Sequence, residues 1–427
     1  ILTNDPCSVL IDKKLFLIND LDGKKLKPFF TKDYIHISPK FEDKYYKKHY
    51  QNILKRNKIA RSIMQQASND LAQKIARNPI KQTSKFRLEQ HKQLKKEIDN
   101  VLKGLNKDLK SNILHAHAES WVLSNDKHNE VISDYVKNLP INNVVATNFT
   151  GSNLGQMYGL ADRYEKGMRL SDRVWKLTNG FKDQIEHGLG QGIVEGESAE
   201  QARKNVQKYL NNPDARFRRV NKNGKLVPSK PMQNYHPGRG VYRSARKNAL
   251  RLTRTETNTA YAINDYYRRQ SMAFVTGIQV KLSDAHPRYD MCDPLAGRYP
   301  KGFKFMTWHP HCLCYATSIT LDKNDFMKYL KTGQIPTSRF QQNIPRSAWN
   351  WIQANQRRLK NGNSQWVKEN LTGKKLAPKK NVVPHGLLDI PVKDRTKQSF
   401  WDQKLSDVES EAQSVKEVQD WIKREQI

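Results

Sequence analysis

Thiols and imidazoles crowd into one short span of this sequence. His309, His311, Cys312 and Cys314 stand in "HPHCLC", and Cys292 precedes them in "DMCDPLAG". Of the 4 cysteines in 427 residues, only Cys7 lies elsewhere. Thiolate and imidazole are the ligands of tetrahedral zinc, so Cys292, His309, Cys312 and Cys314 are candidate ligands of one structural zinc ion. A reverse turn at "HPHC" would bring His309 and Cys312 round one ion, with Cys314 on the same strand face as Cys312. His286, Asp290 and His311 are reserve ligands. The tight Cys-x-Cys spacing leaves other chemistry open. The thiols can pack as small hydrophobes beside a hydrogen-bonded histidine, or close a strained disulfide. Cys292 can serve as a nucleophile with a nearby histidine if its thiol pKa is depressed. Four protein ligands would leave zinc no open position for catalysis.

A second group singles itself out on a helix, "YRSARKNALRLTRTETNTAYAINDYYRRQ". Ala245, Ala249, Leu252, Glu256, Ala260, Ile263 and Tyr267 recur at steps of three and four, one inward stripe. Glu256 is its odd member, and a carboxylate on an apolar face needs a charged or hydrogen-bonding partner. Arg254, two residues away, points to the opposite side and cannot be that partner. Glu256 is then a structural anchor or, failing that, a catalytic group.

Charge is the strongest global signal. Lys and Arg number 75 against 42 Asp and Glu, a formal charge of +33. Such self-repulsion favours a polyanionic partner, nucleic acid above all. Between Gln201 and Thr255 there are 15 Lys/Arg and Asp214 alone on the acidic side. Arg216, Arg218, Arg219, Arg243, Arg246 and Lys247, beside aromatic residues, suit phosphate pairing with some stacking. A solvated surface without partner is the plainer alternative.

The elements that must position these groups follow from pattern. Mean hydropathy is −0.83, so polar helices or tails accompany any compact part. No apolar run is long enough to span a membrane, and Ile1 with Asp5, Asp12, Lys13 and Lys14 does not read as a signal peptide. Residues 1–40 predict strands or extended arms. Phe41 to Val136 predicts two long helices broken at Pro79, the second with the stripe Leu102, Leu105, Leu109 and Ile113. Two helices follow across 170–210, with Trp175, Phe181, Ile185 and Leu189 as the apolar side of the first and Ser198 capping the second. Residues 211–240 read as a long basic loop. Ile278, Val280 and Leu282 alternate as a half-buried strand, with "CYATSIT" as its partner. Beyond come scattered helical pieces, a Lys-rich connector and an amphipathic C-terminal helix carrying Trp401, Leu405, Val408, Ala412, Val415 and Ile422. The fold class is α+β, predominantly helical, with a small β-hairpin region round the Cys/His cluster. Three regions are expected: 1–150, 151–325 and 326–427.

Across residues 155–320 the order of features resembles the phage Mu F-like minor head, or head-morphogenesis, family. Its marks are an Arg-Thr-Glu on a helix, here Arg254-Thr255-Glu256; a Cys-x-x-Leu-x-Gly stretch, here Cys292, Leu295 and Gly297; and a His-Pro-x-Cys-x-Cys end, here His309-Pro310, Cys312 and Cys314. Relatives often carry a further cysteine where this chain has Tyr289, which leaves His286 or Asp290 as substitute ligands. The resemblance implies a non-enzymatic minor head protein inside a capsid, in the host cytoplasm during assembly. Its partners would be the portal protein, the major capsid or scaffold protein, and double-stranded DNA bound without sequence preference. Some F-like domains are fused to toxins, so the alternative is a nuclease or other effector in the C-terminal region, with His385, Asp389 and Lys393 its tempting cluster. A third reading, a zinc-ribbon binder, predicts base-specific contacts by residues 200–320.

Overall fold

Few glycines, a three-to-four apolar rhythm and no proline within either long helix make Lys40–Arg77 and Lys92–Val136 helical. The computed structural model describes residues 8–11, 14–17, 40–78, 88–137, 153–165, 167–194, 196–211, 217–237, 241–286, 289–361 and 364–371. A two-stranded antiparallel hairpin, β1 (Ser8–Ile11) and β2 (Lys14–Leu17), opens it. The two expected long helices are α1 (Lys40–Arg77) and α2 (Lys92–Val136), of 38 and 45 residues. Leu102, Leu105, Leu109 and Ile113 of α2 are all buried against Ala60, Met64, Leu71 and Ile75 of α1.

Two shorter helices, α3 (Leu154–Ala161) and α4 (Leu170–Val194), lie across this pair, followed by α5 (Ala199–Asn211). Ser198 caps α5 as expected, its Oγ accepting from Gln201 N at 3.2 Å. The apolar face of α4 differs from expectation in one member. Leu170, Val174, Leu177, Phe181, Ile185 and Leu189 are buried, whereas Trp175 is 51% exposed. Six residues separate Trp175 from Phe181, a turn of about 240° that puts the indole off the stripe.

The expected long loop over 211–240 is also corrected. Within it β3 (Arg219–Lys222) pairs with β4 (Lys225–Pro228), and a short helix α6 (Lys230–Asn234) follows. Asn223 and Gly224 take φ of 53° and 77°. That is the left-handed pair a two-residue hairpin turn requires and Asn-Gly supplies.

Helix α7 (Ala245–Ser271) is the axis of the fold. Its expected stripe is only part of its buried surface: every residue from Glu256 to Asp265 is buried. Helices α1 and α2 flank one side and a three-stranded antiparallel sheet lies on another. The sheet order is β6 (Gly297–Pro300), β5 (Val275–Lys281), β7 (Tyr315–Thr320), with Ile278 opposite Tyr299 and Val280 opposite Ala316. "CYATSIT" is therefore the partner strand; β5 is central, with 275–278 all buried and the expected alternation holding from Ile278 on, where Ile278 and Val280 are buried and Gln279 and Lys281 half-buried. One apolar core joins α1, α2, α4 and α7, so it runs across residue 150. Residues 138–152, where the first boundary was expected, lie outside the described residues.

Around the sheet come α8 (Cys292–Leu295), α9 (Lys323–Thr332), α10 (Arg346–Ala354), α11 (Gln356–Asn361) and α12 (Gln365–Leu371). Helix α12 is bolted to the loop before the Cys/His turn: Trp366 Nε1 donates to Trp308 O at 3.1 Å. Asn370 accepts from Lys304 N at 2.8 Å. The chain is thus α+β and predominantly helical, with its small sheets antiparallel. Among the described residues no helix is long and apolar enough to cross a membrane. The connector after Leu371, the C-terminal helix with Trp401 to Ile422, and the His385, Asp389 and Lys393 cluster lie outside the described residues.

Gly297 has a steric reason. It sits at φ +137°, and a Cβ there would stand 2.5 Å from Pro345 Cγ. Gly297→Ala should cost about 2–4 kcal/mol through backbone strain plus overpacking. The urea midpoint measures it, and Pro345→Ala in the same background should return only the contact share. A Gly297→Ala chain as stable as the parent removes the steric account.

Candidate metal centre and basic surface

The Cys/His turn is assembled by helices far from it in sequence. Cys312 N donates to His309 O at 3.0 Å, the reverse turn expected of "HPHC". His311 at its tip takes φ +68°. Asn258 on α7 donates through Nδ2 to Cys312 O at 2.8 Å, and its Oδ1 accepts from His49 Nε2 on α1 at 3.0 Å. Tyr46 on α1 donates to Leu313 O and stacks on Tyr315, ring centroids 3.8 Å apart. Two helices therefore hold the turn from below. Burial lowers the pKa of His49 to about 4, so it stays a neutral donor.

Within the turn, Cys292 Sγ lies 3.0 Å from His309 Nε2 and 3.8 Å from Cys312 Sγ. The ligand atoms of Cys292, His309 and Cys312 all fall within 4.8 Å of one another, so this group could hold a metal ion. Zn–S bonds of about 2.3 Å in a tetrahedron put two sulfurs about 3.8 Å apart, which is the separation found. His309 Nδ1 donates to Pro310 O at 2.8 Å, which leaves Nε2 directed at the thiols, the tautomer a ligand needs. Cys314, the fourth expected ligand, is buried in the same apolar cluster but is not one of the three residues whose ligand atoms fall within that distance. All three cysteines are free thiols, which excludes the disulfide among the described cysteines; Cys7 lies outside them.

The three thiols do not titrate alike. Burial opposes ionisation of Cys312, but hydrogen bonds from Cys292 and Cys314 and from Trp308 backbone outweigh it and hold this thiol well below its ordinary value. The hydrogen bond to Cys312 pushes the Cys292 thiol up. Cys314 is pulled down by Cys292, but its bond to Cys312 and its own burial push it up on balance. Of the three, Cys312 is the thiol whose surroundings most favour the charged form. All three cysteines are at most 3% exposed, too enclosed to meet a substrate directly.

Of the reserve ligands, His286, Asp290 and Cys292 form an adjoining group. His286 Nε2 is engaged with Asp293 at 3.0 Å, and Asp290 stands 3.3 Å from His309 Nε2. His311 joins neither group; its ring lies 6.4 Å from that of Tyr242. Tyr289 is 74% exposed.

Glu256 does have the partners its position demands, all from other helices and turns. Arg163 Nη2 donates to its two oxygens at 3.1 and 3.3 Å, Arg173 Nη1 donates to Oε1, and His117 Nε2 to Oε2 at 3.3 Å. Burial opposes its charge, yet the two guanidinium groups outweigh it and hold Glu256 well below the carboxylate range. Arg254 is not among the partners, as its helical position requires; its Nε is buried without a hydrogen bond. A second buried network lies further along α7. Asp265 accepts from Ser124 and Lys127 at 2.6 Å, from Arg269 at 3.0 Å and from His128 at 3.1 Å. Its charge too is held well below the ordinary range, Lys127 and Arg269 overcoming burial.

Comparison of the chain with family models, curated proteins and solved structures finds no match.

The basic candidates fall on three pieces. Arg218 and Arg219 are exposed at the β3–β4 hairpin. A ring series fastens that hairpin to α4, Phe217 to Tyr235 at 5.6 Å and Tyr235 to His187 at 5.5 Å. Arg243 is half-buried in the strap before α7, its Nε donating to Tyr235 O at 2.9 Å. Arg246 and Lys247 occupy the first turn of α7, which carries no acidic residue. The helix dipole disfavours cations there, so an anion beside them would be stabilising. Arg216 lies outside the described residues. Sequence reasoning missed Arg163, Arg173, His117 and Asp265. A hint was available in "TETNTAYAIND", which lacks Lys, Arg and Gln as a solvent-facing helix would not.

Proposed function

We propose that the chain is a minor head protein of the Mu F-like type from a tailed phage or prophage. It acts without enzymatic chemistry in head morphogenesis, inside the capsid near the portal, and contacts packaged or ejecting DNA through its basic surface. The observation that carries this reading is a run from Ala215 to Thr255 without one acidic residue, part of which forms an exposed hairpin of Arg219, Lys222 and Lys225. The residues behind the family resemblance support it. Glu256 anchors α7, Gly297 meets a backbone and contact constraint, and His309 to Cys312 closes the turn. Within this reading Cys292, His309, Cys312 and Cys314 hold one structural zinc, which when bound would cross-link α8 to the turn. The enclosed thiols fit a structural role better than a catalytic one.

Mass spectrometry of particles assembled from the source genome tests the reading; heads that lack this polypeptide sink it. Duplex binding tests the surface. Each neutralised phosphate contributes about 0.9 to the slope of log affinity against log salt. Replacing Arg218, Arg219, Lys222 and Lys225 by Ala should flatten that slope by about 2–4 with no change between sequences. An unchanged slope removes the hairpin from the interface.

A further inference from the structure

The β3–β4 hairpin is the least covered element of the fold's middle part. Its two strands pair only with each other, and every residue from Asn221 to Leu226 is exposed. Its base is fixed by the ring series from Phe217 and by two hydrogen bonds. Ser229 N donates to Arg218 O at 3.0 Å, and Gln233 Nε2 to Pro228 O at 2.8 Å. A lone two-stranded ribbon is marginal in water, and this anchoring keeps it formed. Residues opposite one another across the strands share a face. Arg219 lies opposite Pro228 and Asn221 opposite Leu226, which makes one face; Val220 with Val227 and Lys222 with Lys225 make the other.

Both faces therefore carry cations, Arg219 on one and Lys222 with Lys225 on the other. None of the three makes a side-chain ion pair or hydrogen bond among the described residues. Lys222 and Lys225 stand directly opposite each other, a like-charge pair that costs stability unless an anion lies beside it. A flat anionic surface would meet one face of such a ribbon, whereas a DNA groove offers a phosphate wall to each. The lysines also discourage pairing with a strand of another protein. On the face of Arg219 stands Leu226, 66% exposed, the most exposed large aliphatic side chain among the described residues. Leucine has no hydrogen bond to give a phosphate or a base edge, so a groove offsets its exposure only where the side chain leaves water. The space between two base pairs is such a place.

We propose that this ribbon enters the minor groove of duplex DNA and seats Leu226 between two base pairs, unstacking that step and bending the duplex. Arg219 pairs with phosphates of one strand, Lys222 and Lys225 with those of the other. Apolar insertion reads no donor and acceptor pattern, so it needs no particular base sequence. The inference rests on the DNA-contact reading and deepens it, giving the basic surface a groove and a wedge.

The test uses the full chain and duplexes of about 30 base pairs with 2-aminopurine in the stack and a fluorophore pair at the ends. Saturating protein should raise 2-aminopurine fluorescence, the mark of unstacking, and energy transfer, the mark of bending. Leu226→Ala should lose both rises and bind about ten-fold more weakly, the size expected for one buried leucine. Its salt slope should stay that of the parent, because the same phosphates are met. Leu226 is exposed, so the variant folds as the parent does, and Leu226→Met should keep both signals. Netropsin in the minor groove should displace the chain, and methyl green in the major groove should not. The proposal is overturned if the parent neither unstacks nor bends the duplex, if Leu226→Ala does both like the parent, or if only methyl green competes. In each of these cases duplex binding with its salt slope leaves the DNA-contact reading standing, whereas no duplex binding at all removes both. Binding to phosphatidylserine vesicles that Leu226→Ala abolishes, with duplex behaviour unchanged, would also overturn it and give the leucine to a lipid surface.

Discussion

Glu256→Gln should unfold the protein at markedly lower urea, a loss of about 3–5 kcal/mol. The carboxylate is fully buried and is the meeting point of Arg163, Arg173 and His117, which come from the α3–α4 turn, α4 and α2. With Glu165 the group carries two negative and two positive charges, His117 remaining neutral because burial lowers its pKa. An amide keeps the shape but leaves two guanidinium charges facing one half-buried carboxylate. Breaking a buried pair is far more damaging than replacing all of it by apolar groups. The triple variant Glu256→Met, Arg163→Met, Arg173→Met should therefore recover more than half of the loss, a non-additivity that a simple packing defect would not give. The sign of the pH dependence follows from the depressed carboxylates. Glu256 and Asp265 have folded pKa values below their unfolded ones, so their contribution is complete above the unfolded values. It is lost as pH falls through the unfolded carboxylate range toward the folded values. In Glu256→Gln the acid-induced loss should be smaller, with the Asp265 share remaining. A Glu256→Gln chain within about 1 kcal/mol of the parent at neutral pH would show that this network does not hold the helices together.

Much of the scaffold was legible because local periodicity decides it. The two long helices, their break before Pro79, the Ser198 cap and the pairing of "CYATSIT" with the strand before it all rest on neighbours within a few residues. The errors arose where tertiary context or a specific turn overrode the simple pattern. Trp175 was assigned by residue type although its angular position takes it off the α4 stripe. The Asn223-Gly224 turn was read as loop composition rather than as a two-residue hairpin. The cluster residues were legible as donors, but their supports were not: Tyr46, His49 and Asn258 are 266, 263 and 54 residues from Cys312 in the chain. Likewise the stripe exposed Glu256 as needing a partner, while nothing local could name Arg163 or Arg173. Sequence patterns identify which groups must be satisfied. Only the packing of α1, α2 and α4 round α7 reveals what satisfies them.

Cys312→Ser should release the metal and loosen the turn, whereas His311→Ala should do neither. Cys312 is the thiol its surroundings favour as thiolate, and it is 3.8 Å from Cys292 Sγ. Protein expressed with zinc and stripped of loose ions should hold about one zinc per chain, falling below about 0.1 in Cys312→Ser. Outer partners of a metal ligand alone are worth about 10–100-fold in affinity, and loss of a thiolate should exceed that. Cys314→Ser and Asp290→Asn decide the fourth ligand: in the proposed set the first releases zinc and the second keeps it. The converse result would move the fourth position to the carboxylate beside His309. Because protons compete for thiolate and imidazole, the parent should also lose zinc progressively on acidification and regain it on return to neutral pH. The fold as a whole should survive metal loss. Asn258 and Tyr46 still hold the turn from α7 and α1, and Trp366 still packs on Trp308, ring centroids 5.1 Å apart. Metal removal should therefore increase amide exchange from Cys292 to Cys314 while leaving α2 and α7 protected. Zinc-free parent protein with unchanged exchange in that segment would mean that the thiols are packed hydrophobes, and that no ion belongs there.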